Sequence, residues 1–287
     1  MHEPKPLFKR TGRFRYRFTM MRPSVSDPGR LIAHRGASQF APENTLVAFR
    51  HAVKQGARWI EFDVSLLGDR TPVIFHDATL DRCTDTSGPL TGLRAPDLAQ
   101  IDAGSWHSEL YRAERIPTLA QGLDTIAELG IFANLEIKPQ NGDPEEIAAI
   151  VANMLRARGW GAEKIVVSSF SVDAVRAIRA LIPEQPVAIL WREPPADWAQ
   201  TAEDLDAEAV HLRYEALTSE LLLEARRRRI GVRVYTINRP ELMVAFRRSG
   251  LTGVITDHPP LFLEDTEWRQ WCGDQLIDSR VRSRSPR

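Results

Sequence analysis

From Leu31 to Thr256, short apolar runs alternate with amphipathic helical patterns, and that alternation narrows the possible folds more than any other feature of the chain. The strand-like runs cover 31–34, 59–64, 132–137, 164–168, 186–190, 208–212, 231–236 and 252–256, with a further arm over 72–76. From residue 164 they recur about every 22 residues, the length of a short strand–helix unit. Helical patterns fill the gaps at 44–55, 119–129, 144–158, 171–181, 218–229 and 239–249, and Asp143-Pro144 supplies an N-cap before a first-turn proline. Strands joined through helices pair in parallel. Eight of them close into a (β/α)8 TIM barrel, with a doubly wound open sheet as the second choice.

The count of eight leaves out the arm. Only about a dozen residues separate Asp63 from His76, too few for a parallel crossover, so the chain must return as a hairpin. A turn at Gly68-Asp69-Arg70 sets His76 opposite Asp63. The domain reading follows: a basic, disordered extension over 1–28, one barrel over 29–264, and a tail over 265–287 whose Arg/Ser-rich end reads as disordered. The extension also fits sequence upstream of a start at Met20 or Met21. Residues 78–118, polar and broken by Ser87-Gly88-Pro89 and Pro96, form an insertion capping the barrel mouth.

Charge and cysteine content exclude several classes. With 38 basic against 38 acidic side chains the chain is no general nucleic-acid binder. No apolar run approaches the roughly 18 residues of a membrane span. Two cysteines make no disulfide framework, which points to the cytoplasm; Cys83 has no adjoining base and reads as a bystander thiol. Nothing in the pattern sets an oligomeric state.

Two strands carry acids where apolar residues are expected. In Trp59-Ile60-Glu61-Phe62-Asp63-Val64, alternation puts Glu61 and Asp63 on one face and Ile60, Phe62 and Val64 on the other. In Asn134-Leu135-Glu136-Ile137-Lys138 the polar residues again share a face. Buried carboxylates need a compensating cation, and oxygen ligands suit one divalent cation, Mg²⁺ or Ca²⁺. Barrel chemistry sits at the C-terminal strand ends, where His34 and Arg35 follow the first strand and His76 ends the hairpin. Arg35 and Lys138 suit a phosphate, and the two histidines suit proton exchange on either side of it. Singly each has a plain structural reading: a strand-end histidine is usually packed, and Glu136 beside Lys138 is an ordinary ion pair. Seven gathered at one barrel end are not ordinary.

These motifs resemble the bacterial glycerophosphodiester phosphodiesterase family, most closely its cytosolic short form, from about Leu31 to Leu261. The resemblance lies in His34-Arg35-Gly36, Pro42-Glu43-Asn44-Thr45, Glu61-Phe62-Asp63, His76-Asp77, Thr79-Leu80-Asp81-Arg82, Glu136-Ile137-Lys138, Ser168-Ser169-Phe170, Tyr235-Thr236-Ile237-Asn238 and Ile255-Thr256-Asp257. It implies a metal-dependent hydrolase that cleaves small glycerophosphodiesters to sn-glycerol 3-phosphate and an alcohol. By it His34 and His76 are the general acid and base, and Glu61, Asp63 and Glu136 hold the cation. Arg35 and Lys138 bind phosphate, Tyr235 forms an aromatic substrate wall where many members have Trp, and Glu43 supports the loop of His34. His211 reads as a packed histidine. Two rivals remain: a lysophospholipase D acting on lipid head groups, and a barrel that binds a phosphate metabolite without turnover.

Overall fold

Nine strands organise the molecule in the computed structural model, which describes residues 29–139, 143–160 and 163–273; the 1–28 stretch and the tail beyond 273 lie outside the described residues. They are β1 (Leu31–Ala33), β2 (Trp59–Leu66), β3 (Pro72–Ile74), β4 (Phe132–Ile137), β5 (Ile165–Ser169), β6 (Val187–Trp191), β7 (Ala209–Arg213), β8 (Gly231–Tyr235) and β9 (Gly253–Thr256). All except β3 pair in parallel with their neighbours. Pairing of β1 with both β2 and β9 closes the eight-stranded barrel. Around it run α1 (Leu46–Lys54), α2 (Leu119–Leu129), α3 (Pro144–Ala157), α4 (Val172–Leu181), α5 (Trp198–Asp204), α6 (Ser219–Arg228), α7 (Val244–Arg247), α8 (Pro260–Leu263) and α9 (Thr266–Cys272). Among the described residues no helix is long and apolar enough to cross a membrane.

Alternation along the strands sorts the core into two layers. Ile60, Phe62, Val64, Leu135 and Ile137 face outward and pack with Phe49, Leu123, Ile126 and Val151 of the helices. Each such side chain contributes about 1.5–3 kcal/mol by leaving water. Inside the barrel, Ile32, Trp59, Phe132, Val166, Ala188, Ala209 and Ile255 form a separate apolar plug, with Trp59 stacked on Phe132 at 5.1 Å. Trp59, Phe132 and Ala209 begin their strands. The plug therefore seals the bottom, and the inward positions further along each strand are left to polar groups. Side-chain caps fix the helix starts: Thr45, Asp143, Ser171 and Thr218 each accept from a first-turn amide, and Thr118 with Gln121 forms a reciprocal capping box.

Four details depart from the sequence expectation. The hairpin turn runs Leu67–Thr71, so Phe75, not His76, stands opposite Asp63, its amide donating to the Asp63 carbonyl at 3.1 Å. The ladder ends at Ile74, so the strand pleat does not dictate where the His76 side chain points. Helix α5 has no counterpart in the pattern because it is short and Asp197 makes no capping bond. The helix expected over 239–249 breaks into a 3₁₀ turn, Pro240–Met243, followed by α7. Finally, the stretch grouped with the tail begins with α9, capped by Asp265, whose Trp268 and Cys272 are buried in the main core.

Candidate active site

The first site loop leaves β1 under strain. Arg35 (φ 54°) and Asn44 (φ 59°) both occupy the left-handed region, a cost of about 1 kcal/mol or more each for non-glycine residues. Contacts to the acids hold them there. The Arg35 amide donates to Glu61 Oε2 at 3.0 Å, the Asn44 amide to the Arg35 carbonyl at 3.0 Å, and the Asn44 side chain to Asp63 Oδ2 at 2.8 Å. Gly36 (φ 80°) passes so near α1 that a Cβ would lie 2.7 Å from the Ala48 carbonyl carbon, so no larger residue fits.

Glu61, Asp63 and Glu136 meet just above the plug. Each is at most 7% exposed, and they bring one carboxylate oxygen apiece within 4.8 Å of the others. The β2–β4 register places Asp63 beside Glu136 and Glu61 beside Asn134. Two cations face the three acids: Arg35 Nε is 3.3 Å from Asp63 Oδ2, and Lys138 Nζ is 3.0 Å from Glu136 and 3.5 Å from Asp63. The compensation is uneven. Burial works to raise the Asp63 pKa, but Arg35, Lys138, His76 and Asn44 outweigh it and hold that carboxylate well below the usual range. Burial, then Asp63 and Glu136, push Glu61 well above it; burial and Asp63 push Glu136 up to about 7. Glu61 Oε1 is buried without a hydrogen-bond partner. An orphaned acceptor in an all-oxygen cluster carrying more acids than cations fits one divalent cation.

Both histidines stand at this cluster, each tied through Nδ1 to a carboxylate. His34 Nδ1 lies 2.6 Å from Asp257 Oδ1, and His76 Nδ1 lies 2.5 Å from Asp77 Oδ1. An ionised carboxylate only accepts, so each ring carries its proton on Nδ1 and turns Nε2 to the interior. His34 Nε2 is 3.9 Å from Glu61. Burial lowers the His76 pKa, Asp63 working against it and Arg35 and Lys138 adding to it. Asp257 also accepts from Ser38 Oγ at 2.8 Å and Asn238 Nδ2 at 2.7 Å; burial raises its pKa, and His34 with these donors brings it well below the ordinary value.

Behind Arg35 lies a second ring of charge. Glu43 accepts from Arg35 Nη1 at 2.6 Å and, through both oxygens, from Arg82 at 2.7 and 2.8 Å. Arg82 Nε also donates to Asp77 Oδ2 at 2.6 Å, so one guanidinium holds the partners of both Arg35 and His76. The helix that follows is capped by Thr45, not Glu43.

A cavity of about 530 Å³ opens over these groups. His34, Arg35, Glu61, His76, Glu136, Lys138 and Tyr235 line it; Asp63 and Glu43 sit behind the lining. The Tyr235 hydroxyl donates to the Trp191 carbonyl at 3.0 Å. All nine residues singled out from the sequence thus gather at one barrel end. Asp257, Asp77, Arg82, Asn44 and Asn238 were not singled out, although each lies in or beside a motif. Only the fold joins Asp257 to His34, 223 residues away. His211 is fully buried on β7, 3.2 Å from Arg233 Nη1, and does not line this cavity. Cys83 is buried, its thiol pushed up to about 12 by burial and then by Glu43, and so is no nucleophile.

Comparison with known proteins agrees with this arrangement. Residues 34–261 match the model of the glycerophosphoryl diester phosphodiesterase family. The chain belongs to that family. The YhdW protein of Bacillus subtilis is 32% identical over 240 residues, 82% of this chain and 97% of its own length. A glycerophosphodiester phosphodiesterase of Caldanaerobacter subterraneus is 30% identical over 229 residues, covering 80% and 94%. The crystal structure of an Oleispira antarctica phosphodiesterase, in complex with the product sn-glycerol 3-phosphate, superposes with a TM-score of 0.78 at 35% identity, covering 82% of this chain and 95% of that one. The chain is therefore an enzyme of phosphoric diester hydrolysis built on a TIM barrel.

Proposed function

We propose that this chain hydrolyses glycerophosphodiesters to sn-glycerol 3-phosphate and an alcohol, with His34 and His76 exchanging the protons. The observation that carries the mechanism is the pair of imidazoles, each oriented through Nδ1 by a carboxylate, facing one cavity with the acid trio between them. Glu61, Asp63 and Glu136 hold a single divalent cation, Mg²⁺ or Ca²⁺ by the all-oxygen ligand set. That ion, when bound, offsets the charge that grows on the phosphate oxygens. Arg35 and Lys138, locked by Glu43, Asp63 and Glu136, present fixed positive charge to the same oxygens without reorganising. One imidazole takes the proton of the attacking hydroxyl through Nε2, and the other gives a proton to the leaving alkoxide. Such exchange is typically worth about 10²–10⁴ in rate. Tyr235, anchored on Trp191, walls the substrate side. The working unit is the barrel with 78–118 as its cap and α9 packed into its core. Two free, buried cysteines, Cys83 and Cys272, fit a reducing cytoplasm.

The test is release of sn-glycerol 3-phosphate from a glycerophosphodiester by the purified protein with Mg²⁺ or Ca²⁺, alongside His34→Ala and His76→Ala. Both variants should lose at least about 10²-fold in kcat while calorimetry still registers cation binding. Near-normal turnover in either variant refutes its role.

A further inference from the structure

The cavity has two unlike halves. One holds the acid trio and the histidines. The other is walled by Phe170, Leu190, Arg192, Tyr235 and Thr236, and no carboxylate lines it. On the hydrolytic reading the phosphodiester lies over the acid trio, so the open side takes the alcohol.

Arg192 is the cation of that side. Its situation differs from the other cations nearby. Arg35 is paired with Glu43 and Asp63, Lys138 with Glu136 and Asp63, Arg82 with Glu43 and Asp77, and Arg213 with Glu215 at 3.2 Å. Arg192, exposed at the rim, forms no ion pair among the described residues. The rim acids Glu193 and Glu215 both act on Arg213. A quaternary ammonium would need an acid or an open aromatic face here. The Phe170 ring already has Lys138 Nζ 6.0 Å from its centroid, and Tyr235 meets Phe170 edge-on at 5.9 Å. No carboxylate lines this half of the cavity, Glu193 and Glu215 standing outside its lining, while a guanidinium that forms no ion pair among the described residues does line it.

Resting on the hydrolytic reading above, we propose that Arg192 selects the leaving alcohol, favouring glycerophosphodiesters whose alcohol carries an anion, such as a carboxylate or second phosphate, over those carrying a quaternary ammonium. The preference is electrostatic, set in half-open solvent, and so modest and salt-sensitive.

The experiment compares kcat/KM of the Mg²⁺-loaded enzyme at low ionic strength on three diesters: bis(glycerophospho)glycerol (anionic alcohol), glycerophosphoglycerol (neutral) and glycerophosphocholine (cationic). Wild type should prefer the anionic over the cationic diester by about three- to tenfold, shrinking as salt rises. Arg192→Gln should abolish that ratio and Arg192→Glu invert it, with the neutral diester turned over alike by all three proteins. Equal or better turnover of the choline diester by wild type overturns the inference, as does a loss that is the same for all three diesters in the variants. Failure to turn over any of the three by wild type overturns the hydrolytic reading and this inference with it.

Discussion

Replacing Glu136 with Gln should stabilise the cation-free protein at alkaline pH while removing the cation's own stabilisation. Burial and Asp63 raise the Glu136 carboxyl from its ordinary 4.5 to about 7. A carboxyl raised on folding contributes stability that is complete below pH 4.5 and lost as pH rises through about 7. At about 1.4 kcal/mol for each tenfold change in proton affinity, ionising it costs the fold about 3 kcal/mol at pH 8. Gln keeps an oxygen for Lys138 Nζ and carries no charge to desolvate. In chelator at pH 8, Glu136→Gln should therefore melt above wild type by up to about 5–10 °C, and at pH 5 the two should coincide. His76 and His211, lowered by burial, act in the opposite sense below their ordinary 6.5, but they are common to both proteins and cancel in the difference. Adding Mg²⁺ or Ca²⁺ should lift the wild type and leave the variant nearly unmoved. A variant that melts below wild type in chelator at pH 8, or a difference that does not grow from pH 5 to pH 8, would refute the reasoning.

Asp257→Asn should cut kcat by about 10²–10⁴, because an amide no longer fixes the Nδ1–H form of His34; the loss should appear in kcat with cation affinity intact, read by steady-state kinetics and calorimetry. Arg82→Gln frees Asp77 and Glu43 together, so kcat should fall and KM rise. In a double-mutant cycle with Asp77→Asn the two kcat losses should fall short of additivity, and full additivity would separate Arg82 from His76.

The barrel was legible because alternation is a local property. A residue's neighbours two positions away decide which face of β2 or β4 it shares, so the inward placement of Glu61, Asp63 and Glu136 follows from the chain without coordinates. Capping signals such as Asp143-Pro144 are equally local. The hairpin register and helix α5 were not. The hairpin register slipped by one residue because loop length bounds a turn without fixing its centre. Helix α5 carries no capping bond to announce it. The partners of the site were hidden for another reason: Asp257 follows the last barrel strand, and only closure of β9 onto β1 brings it to His34.

The sequence alone determined that this chain is an eight-stranded barrel with acids turned inward, because periodicity and loop length act over a few residues. Tertiary structure decided which acids cluster within reach of one ion, which nitrogen of each histidine faces the cavity, and which arginine of the cavity lining forms no ion pair among the described residues. Those are matters of a few ångströms between groups that barrel closure brings together, and no local pattern encodes them.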